Sequence, residues 1–173
     1  MPGWSVRRLA AVDGNQIDEL ATLLIDVVEG GATVGFMMPI THERAVSFWS
    51  RVAEEVALGK RLLLIAEDDA GICGTVQLVL DLPDNQPHRA DLSKMLVRRR
   101  SRRQGLAAEL LRAAEAAALD SGRTLLVLDA VTDGAAARLY ERLGWVRVGD
   151  IPGYALMPEG GLCGTTYYYR QLG

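Results

Sequence analysis

The chain has 173 residues, enough to bury a core without disulfides or bound metal. Its 49% apolar and 24% charged residues exclude a disordered tail, a collagen-like rod and a disulfide scaffold. A net charge of −3 argues against general nucleic-acid binding, and the lack of any run of about 18 apolar residues argues against a transmembrane helix.

Residues 1–8 lack the basic-then-apolar layout of a secretory leader. Cys73 and Cys163 have no metal-ligand spacing, and His42 and His88 are too few for a metal site. The expectation is one cytoplasmic domain over 1–173, with reduced thiols and no metal.

Ser5–Leu9 reads as a first strand. Ile17, Leu20, Leu24 and Val28 recur at helical spacing, which predicts a helix over 15–28 stopped by Gly30 and Gly31. Thr41 is placed to cap a second helix with Val46, Trp49 and Val52 on its apolar side. Apolar runs at 61–67 and 72–80 flank Asp68-Asp69-Ala70-Gly71 and predict a hairpin. The prolines and asparagine of 81–87 predict a loop, and Arg89–Val97 a strand. Leu106, Leu110, Ala113 and Ala117 make one face of a helix over 103–121, closed by Gly122. The unbroken apolar run 124–128 predicts a strand buried on both faces. A helix over 134–143, a strand over 145–149, a Pro- and Gly-rich loop over 151–164 and a strand over 165–172 complete the chain. The strands ending near Val97 and Asp129 are joined through a helix, so they run parallel with a right-handed crossover. The fold expected is α/β with a mixed sheet, not a doubly wound one.

Charge is concentrated at the turn of that crossover. Lys94, Arg98, Arg99, Arg100, Arg102 and Arg103 occur together with no anion among them, in a chain whose remainder is acidic. The stretch joins a strand end to a helix start, where backbone N–H groups lack partners and the helix dipole adds about half a positive charge. Gly105 and Ala107 leave room for a ligand to reach those amides. Together they predict a cradle for a small polyanion. The pattern is neither a P-loop nor a dinucleotide fingerprint.

Arg102-Arg103-Gln104-Gly105-Leu106-Ala107 resembles the pyrophosphate-binding motif of the GNAT acetyltransferase superfamily, Arg/Gln-x-x-Gly-x-Gly/Ala. Further along, Ala136-x-x-Leu139-Tyr140-x-x-Leu143-Gly144-Trp145 resembles the family's Ala-x-x-hydrophobic-Tyr-x-x-Leu-Gly-Phe segment, with Asp133 where the family usually has Asn. Glu29-Gly30-Gly31-Ala32, Pro87-His88-Arg89-Ala90-Asp91, Ile151-Pro152-Gly153-Tyr154 and Pro158-Glu159-Gly160 resemble the tabtoxin-resistance branch of the family.

The resemblance implies the GNAT fold, with helices on both faces of the sheet, and an acetyl-CoA-dependent N-acetyltransferase. The acceptor it implies is the amine of a small amino-acid-like toxin, attacked directly in a ternary complex. It places coenzyme A on Arg102, Arg103, Gln104, Gly105, Leu106, Ala107 and Ala108, on the backbone of Met95, Leu96 and Val97, and near Asp133 and Ala136. Asp91 and Asp129 match its catalytic carboxylates, and Tyr140 its acid for the departing thiolate. Glu29, Phe36, His88, Arg89 and Tyr154 are the expected acceptor contacts, with Glu29 and Arg89 gripping the charged ends of an amino acid. Acetylation of protein lysines or N-termini, and acyl-CoA sensing without catalysis, are the competing functions. No nucleic-acid or membrane partner is expected, and both a monomer and a homodimer stay open.

Overall fold

The computed structural model describes residues 3–173. Its strands are β1 Ser5–Leu9, β2 Arg61–Asp68, β3 Gly71–Val79, β4 Arg89–Val97, β5 Leu125–Val131, β6 Val146–Leu156 and β7 Leu162–Gln171. Its helices are α1 Gly14–Glu29, α2 His42–Ala57, α3 Leu106–Asp120 and α4 Ala135–Arg142. The seven strands form one mixed sheet in the order β1-β2-β3-β4-β5-β7-β6. Only β4 and β5 are parallel neighbours, as the crossover requires.

Local signals start the first two helices. Asp13 and Gln16 close a reciprocal capping box on α1, with Gln16 N donating to Asp13 Oδ1 at 2.8 Å and Asp13 N to Gln16 Oε1 at 2.9 Å. Thr41 Oγ1 accepts from Arg44 N at 3.1 Å at the head of α2. Caps of this kind contribute about 1 kcal/mol each.

The period of two along the strands divides the core into two layers. Leu63, Ile65 and Ile72 bury against Leu20, Leu24, Trp49 and Val52 of α1 and α2. Leu62, Leu64, Val76, Leu78, Leu126 and Tyr168 bury on the other face against Leu106, Leu110 and Ala114 of α3 and Ala137 of α4. Each fully buried aliphatic side chain contributes roughly 1.5–3 kcal/mol, so these layers dominate the stability of the sheet.

Three expectations need correction. The run 124–128 was expected to be covered on both faces. In fact Leu126 and Leu128 are buried, Leu125 and Val127 are half-buried and Asp129 is exposed. The reason is that α1 and α2 lie over β2, β3 and β4 and leave that face of β5 open. The expected loop at 151–164 is instead the end of β6, a turn and the start of β7. β6 is an edge strand, so Pro152 costs no ladder bond on its outer side, and a register shift between Ile151 and Ala155 absorbs the irregular residues. Finally, the third helix starts at Leu106 and not at 103, because Arg103 and Gly105 have left-handed φ of 60° and 86°. Arg99–Ser101 forms a separate 3-10 turn.

Where β4 meets β5 the sheet opens. The two pair only over Arg89–Leu125, Ala90–Leu126 and Asp91–Val127. Immediately beyond, β4 bulges: its register with β3 slips between Gln77–Ser93 and Thr75–Leu96, and Lys94 takes a left-handed φ of 52°. Residues 92–97 and 128–131 therefore border a wedge, open at the carboxyl ends of two parallel strands, where ligands of α/β sheets bind.

Candidate active site

The wall of the wedge on the β4 side leads into α3, and that helix differs from α1 and α2. Its N-cap is Gly105, and no side chain caps it. The first backbone bond of the helix is Glu109 N to Gly105 O at 3.2 Å, leaving the amides of Leu106, Ala107 and Ala108 without an acceptor among the described residues. A Cβ built on Gly105 would meet nothing within 4 Å, so the space above these donors is open. Ala107 and Ala108 are half-buried beside it. An uncapped helix start under open space fits a diphosphate.

The six cations of the turn do not act as one patch. Arg99 donates to Asp26 through its backbone N at 2.9 Å and its Nε at 3.0 Å. Arg100 pairs with both oxygens of Asp68, at 2.5 and 3.0 Å. Arg98 donates to the Ile72 carbonyl at 2.9 Å. Lys94 lies apart, over the Phe48 ring of α2. Arg102 and Arg103 are exposed and enter no ion pair among the described residues. The expected cluster thus resolves into two arginines that anchor the turn to α1 and to the β2–β3 hairpin, and two exposed ones beside the start of α3, of which Arg102 donates from Nε to the Val97 carbonyl at 3.3 Å. Gln104 is part of the same scaffold, its Nε2 donating to the Arg100 carbonyl at 3.3 Å.

Asp91 and Asp129 stand on one face of the sheet, because Asp91 is the register partner of Val127, two residues before Asp129. Tyr167, the partner of Asp129 on β7, shares that face. Its hydroxyl lies 3.2 Å from that of Tyr154. This contact raises the Tyr167 phenol to about 12, helped by burial and by the charges of Asp129 and Asp91. Sequence reasoning passed over Tyr167, although alternation within Tyr167-Tyr168-Tyr169 separates it from Tyr168, which is buried on the opposite face.

The two carboxylates differ in their partners. Asp91 Oδ1 is held by Arg89 Nη1, and Arg89 Nε donates to Gln86 Oε1 at 2.8 Å. Arg89, expected to grip the acceptor, is therefore engaged within β4 and the loop before it. Asp129 is exposed, and Thr165 Oγ1 donates to its Oδ2 at 2.7 Å, while Oδ1 makes no hydrogen bond among the described residues. Tyr140, on α4, packs in the layer of Tyr168, on the sheet face opposite Asp91 and Asp129. Its ring is buried against Trp145 and Tyr168, with centroids 5.6 and 6.1 Å away, and its hydroxyl makes no hydrogen bond among the described residues. Burial, with a smaller push from Asp129, holds that phenol well above the ordinary tyrosine range.

The other expected contacts are scattered. Glu29 ends α1 beside Gly30, where a Cβ would strike Arg99 Cδ at 2.8 Å, which places it by the anchored turn. His88 is exposed, and its carbonyl accepts from Thr124 N and Leu125 N at 2.8 and 3.1 Å. Phe36 is buried edge-on to Phe48, at 5.2 Å, and lines a cavity of about 440 Å³ with Gly35, Pro39 and Arg44. Met95 and Val97 are half-buried along the wedge and Leu96 is buried. Asp133, at a φ of 60°, and Ala136 are exposed at the start of α4, which also lacks a side-chain cap.

A parallel strand pair splayed past a bulge, with an uncapped helix N-terminus beyond β4 and a carboxylate on each strand, is a geometry suited to group transfer beside a diphosphate. Residues 59–147, just over half of the chain, match the family model described as an acetyltransferase (GNAT) domain, and the chain belongs to that family. It is an acetyltransferase, and the cofactor of its family is acetyl-CoA. Solved structures share the whole fold. An acetyltransferase of the GNAT family from Streptococcus pneumoniae is 22% identical, with 98% of this chain and 99% of that one covered and a TM-score of 0.79. YncA of Salmonella typhimurium, solved with its cofactor acetyl-CoA, is 17% identical over 99% and 95%, also at 0.79. A "putative phosphinothricin N-acetyltransferase" is 19% identical over 98% and 99%, at 0.77.

Proposed function

We propose that this chain transfers acetyl from acetyl-CoA to the amine of a small amino-acid-like acceptor, in a cleft formed by the wedge between β4 and β5. The observation that carries the small acceptor is a bridge. Met38 N, in the loop between α1 and α2, donates to the Pro158 carbonyl in the β6–β7 turn at 2.8 Å. That bond ties together two loops on the acceptor side, which favours a small acceptor over a peptide laid in an open groove. Likeness to the tabtoxin-resistance branch, and the structural neighbour named for phosphinothricin, point the same way.

Bound acetyl-CoA supplies an activated thioester. The amides of Leu106, Ala107 and Ala108, with Arg102 and Arg103, hold its diphosphate. The open edge of β4 from Met95 to Val97 offers backbone groups to its pantetheine arm, and the start of α4 at Asp133 and Ala136 flanks it. An amine of pKa about 10.4 is neutral in only about one molecule in 2,500 at pH 7, so the site must remove a proton. Asp129 takes it through its Oδ1, directly or through a water. Asp91, already bridged to Arg89, orients the strand end and the water beside it. Burial disfavours the Tyr140 phenolate, so the hydroxyl stays protonated at neutral pH and yields its proton only as the departing thiolate forms against it.

The test is a panel of free amino acids, their amides and short peptides, assayed for thiol release from acetyl-CoA. Turnover of small amines but not peptides supports the reading. Turnover of peptides alone identifies a protein acetyltransferase, and acetyl-CoA binding with no turnover identifies a sensor.

A further inference from the structure

Lys94 separates from the rest of the basic cluster, and its surroundings are unusual for a lysine. The bulge turns its side chain back under the loop between α1 and α2. Its Nζ lies 5.7 Å from the Phe48 ring centroid and 3.6 Å from the position a Cβ would take on Gly35. The residue is half-buried, yet no ion pair among the described residues includes it. The nearby guanidinium, Arg61, is committed to Glu55 Oε2 at 2.5 Å and to Gln77 Oε1 at 2.6 Å. Gln77 is fully buried, and its Nε2 has no acceptor. Gln77 is the register partner of Ser93, the residue before Lys94, so two donors without acceptors sit on neighbouring strands at the bulge.

Magnitudes say this arrangement is incomplete. A cation over an aromatic ring gains less than withdrawing an ion from water costs. Phe48 does not offset that cost alone. Burial pulls the ammonium below the ordinary lysine range, Arg61 adds to the effect, and Asp129 opposes it. Asp129 borders the wedge, so Lys94 feels the charge of the acceptor site. Gly35, whose Cβ position would lie 3.6 Å from that Nζ, also lines the pocket bordered by Phe36.

We infer that Lys94 is the specificity residue for the acceptor: its ammonium binds the carboxylate of an amino-acid-like substrate whose amine faces Asp129. The inference rests on the proposed acetyl transfer and adds to it the chemical identity of the group that anchors the substrate. It moves that role from Arg89, which Asp91 and Gln86 already occupy, to a cation that has no ion-pair partner among the described residues.

The experiment pairs each of glutamate, methionine and lysine with its own carboxamide, and reads both turnover and the unfolding midpoint of the acetyl-CoA-bound protein. The free acids raise the midpoint of the native protein and the amides do not. Lys94→Met removes that response and raises KM for the acids at least tenfold, with KM for acetyl-CoA unchanged. Lys94→Arg retains the preference for acids, which distinguishes anion binding from packing. Equal responses to acids and amides, or a Lys94→Met protein that still prefers acids, would overturn the inference and leave acetyl transfer standing. Acids that bind through Lys94 without any amine being acetylated would support the anion site and remove the transferase reading.

Discussion

The carboxylate of Asp26 on α1 holds Arg99 by two atoms, its main-chain N at 2.9 Å and its Nε at 3.0 Å. One side chain thus fixes both the path and the first arginine of the turn that precedes α3. Asp26→Asn keeps an acceptor but loses the charge. The expected result is a severalfold weaker acetyl-CoA affinity by titration, with a stability loss of no more than about 1 kcal/mol, because Arg99 is largely exposed. A stability loss without a change in affinity would show that the anchor serves the fold alone.

The same anchors give the fold an acid limit. Burial works to raise the Asp26 carboxyl, but its hydrogen bonds from Arg99 outweigh that and hold it below the usual range. The hydrogen bond from Arg100 lowers Asp68 likewise. Both groups bind protons less readily folded than unfolded, so their contribution is present above the unfolded value of about 4 and is lost as pH falls below it. Denaturant titrations from pH 6 to pH 3 are expected to show stability falling across the lower part of this range. The double substitution Asp26→Asn, Asp68→Asn flattens the fall. An unaltered profile counts against the anchoring role.

Asp129 and Asp91 are separable by kinetics. Loss of a positioned base lowers rate roughly 10²- to 10⁴-fold, so Asp129→Asn is expected to cut kcat within that span at unchanged acetyl-CoA affinity. Asp91→Asn, which releases Arg89, is expected to cost less in kcat. Steady-state thiol release measures both. The reverse ranking would assign the base to Asp91.

Tyr140→Phe preserves the ring contacts with Trp145 and Tyr168 and removes only the hydroxyl. The expected outcome is a roughly hundredfold lower kcat with an unfolding midpoint close to that of the parent. An unchanged kcat would leave Tyr140 as a core residue.

Local chemistry made much of this legible in the sequence. Thr41 capped its helix as expected, Asp68–Gly71 turned the hairpin, and the crossover forced β4 and β5 to be parallel. What stayed hidden was non-local. Arg99 and Asp26 are 73 positions apart, and Arg100 and Asp68 are 32 apart, so no spacing rule divides the basic cluster into anchors and free cations. The Arg89–Asp91 pair was accessible in principle, since residues two apart on a strand share a face. The extension of β6 through Pro152 and Gly153 was not, because tolerance of proline there depends on the strand being at the sheet edge, a property of the assembled topology. The isolation of Lys94 likewise depends on a bulge that no residue pattern announces.

The most direct measurement is a calorimetric titration of acetyl-CoA into the native protein and into the double substitution Arg102→Ala, Arg103→Ala. Each charged hydrogen bond contributes roughly 1.5–3 kcal/mol, and 1.4 kcal/mol is about tenfold in affinity. A diphosphate held at the start of α3 predicts binding weakened tenfold or more, with the difference narrowing as salt is raised. Equal affinity for the two proteins at low and high salt would contradict it.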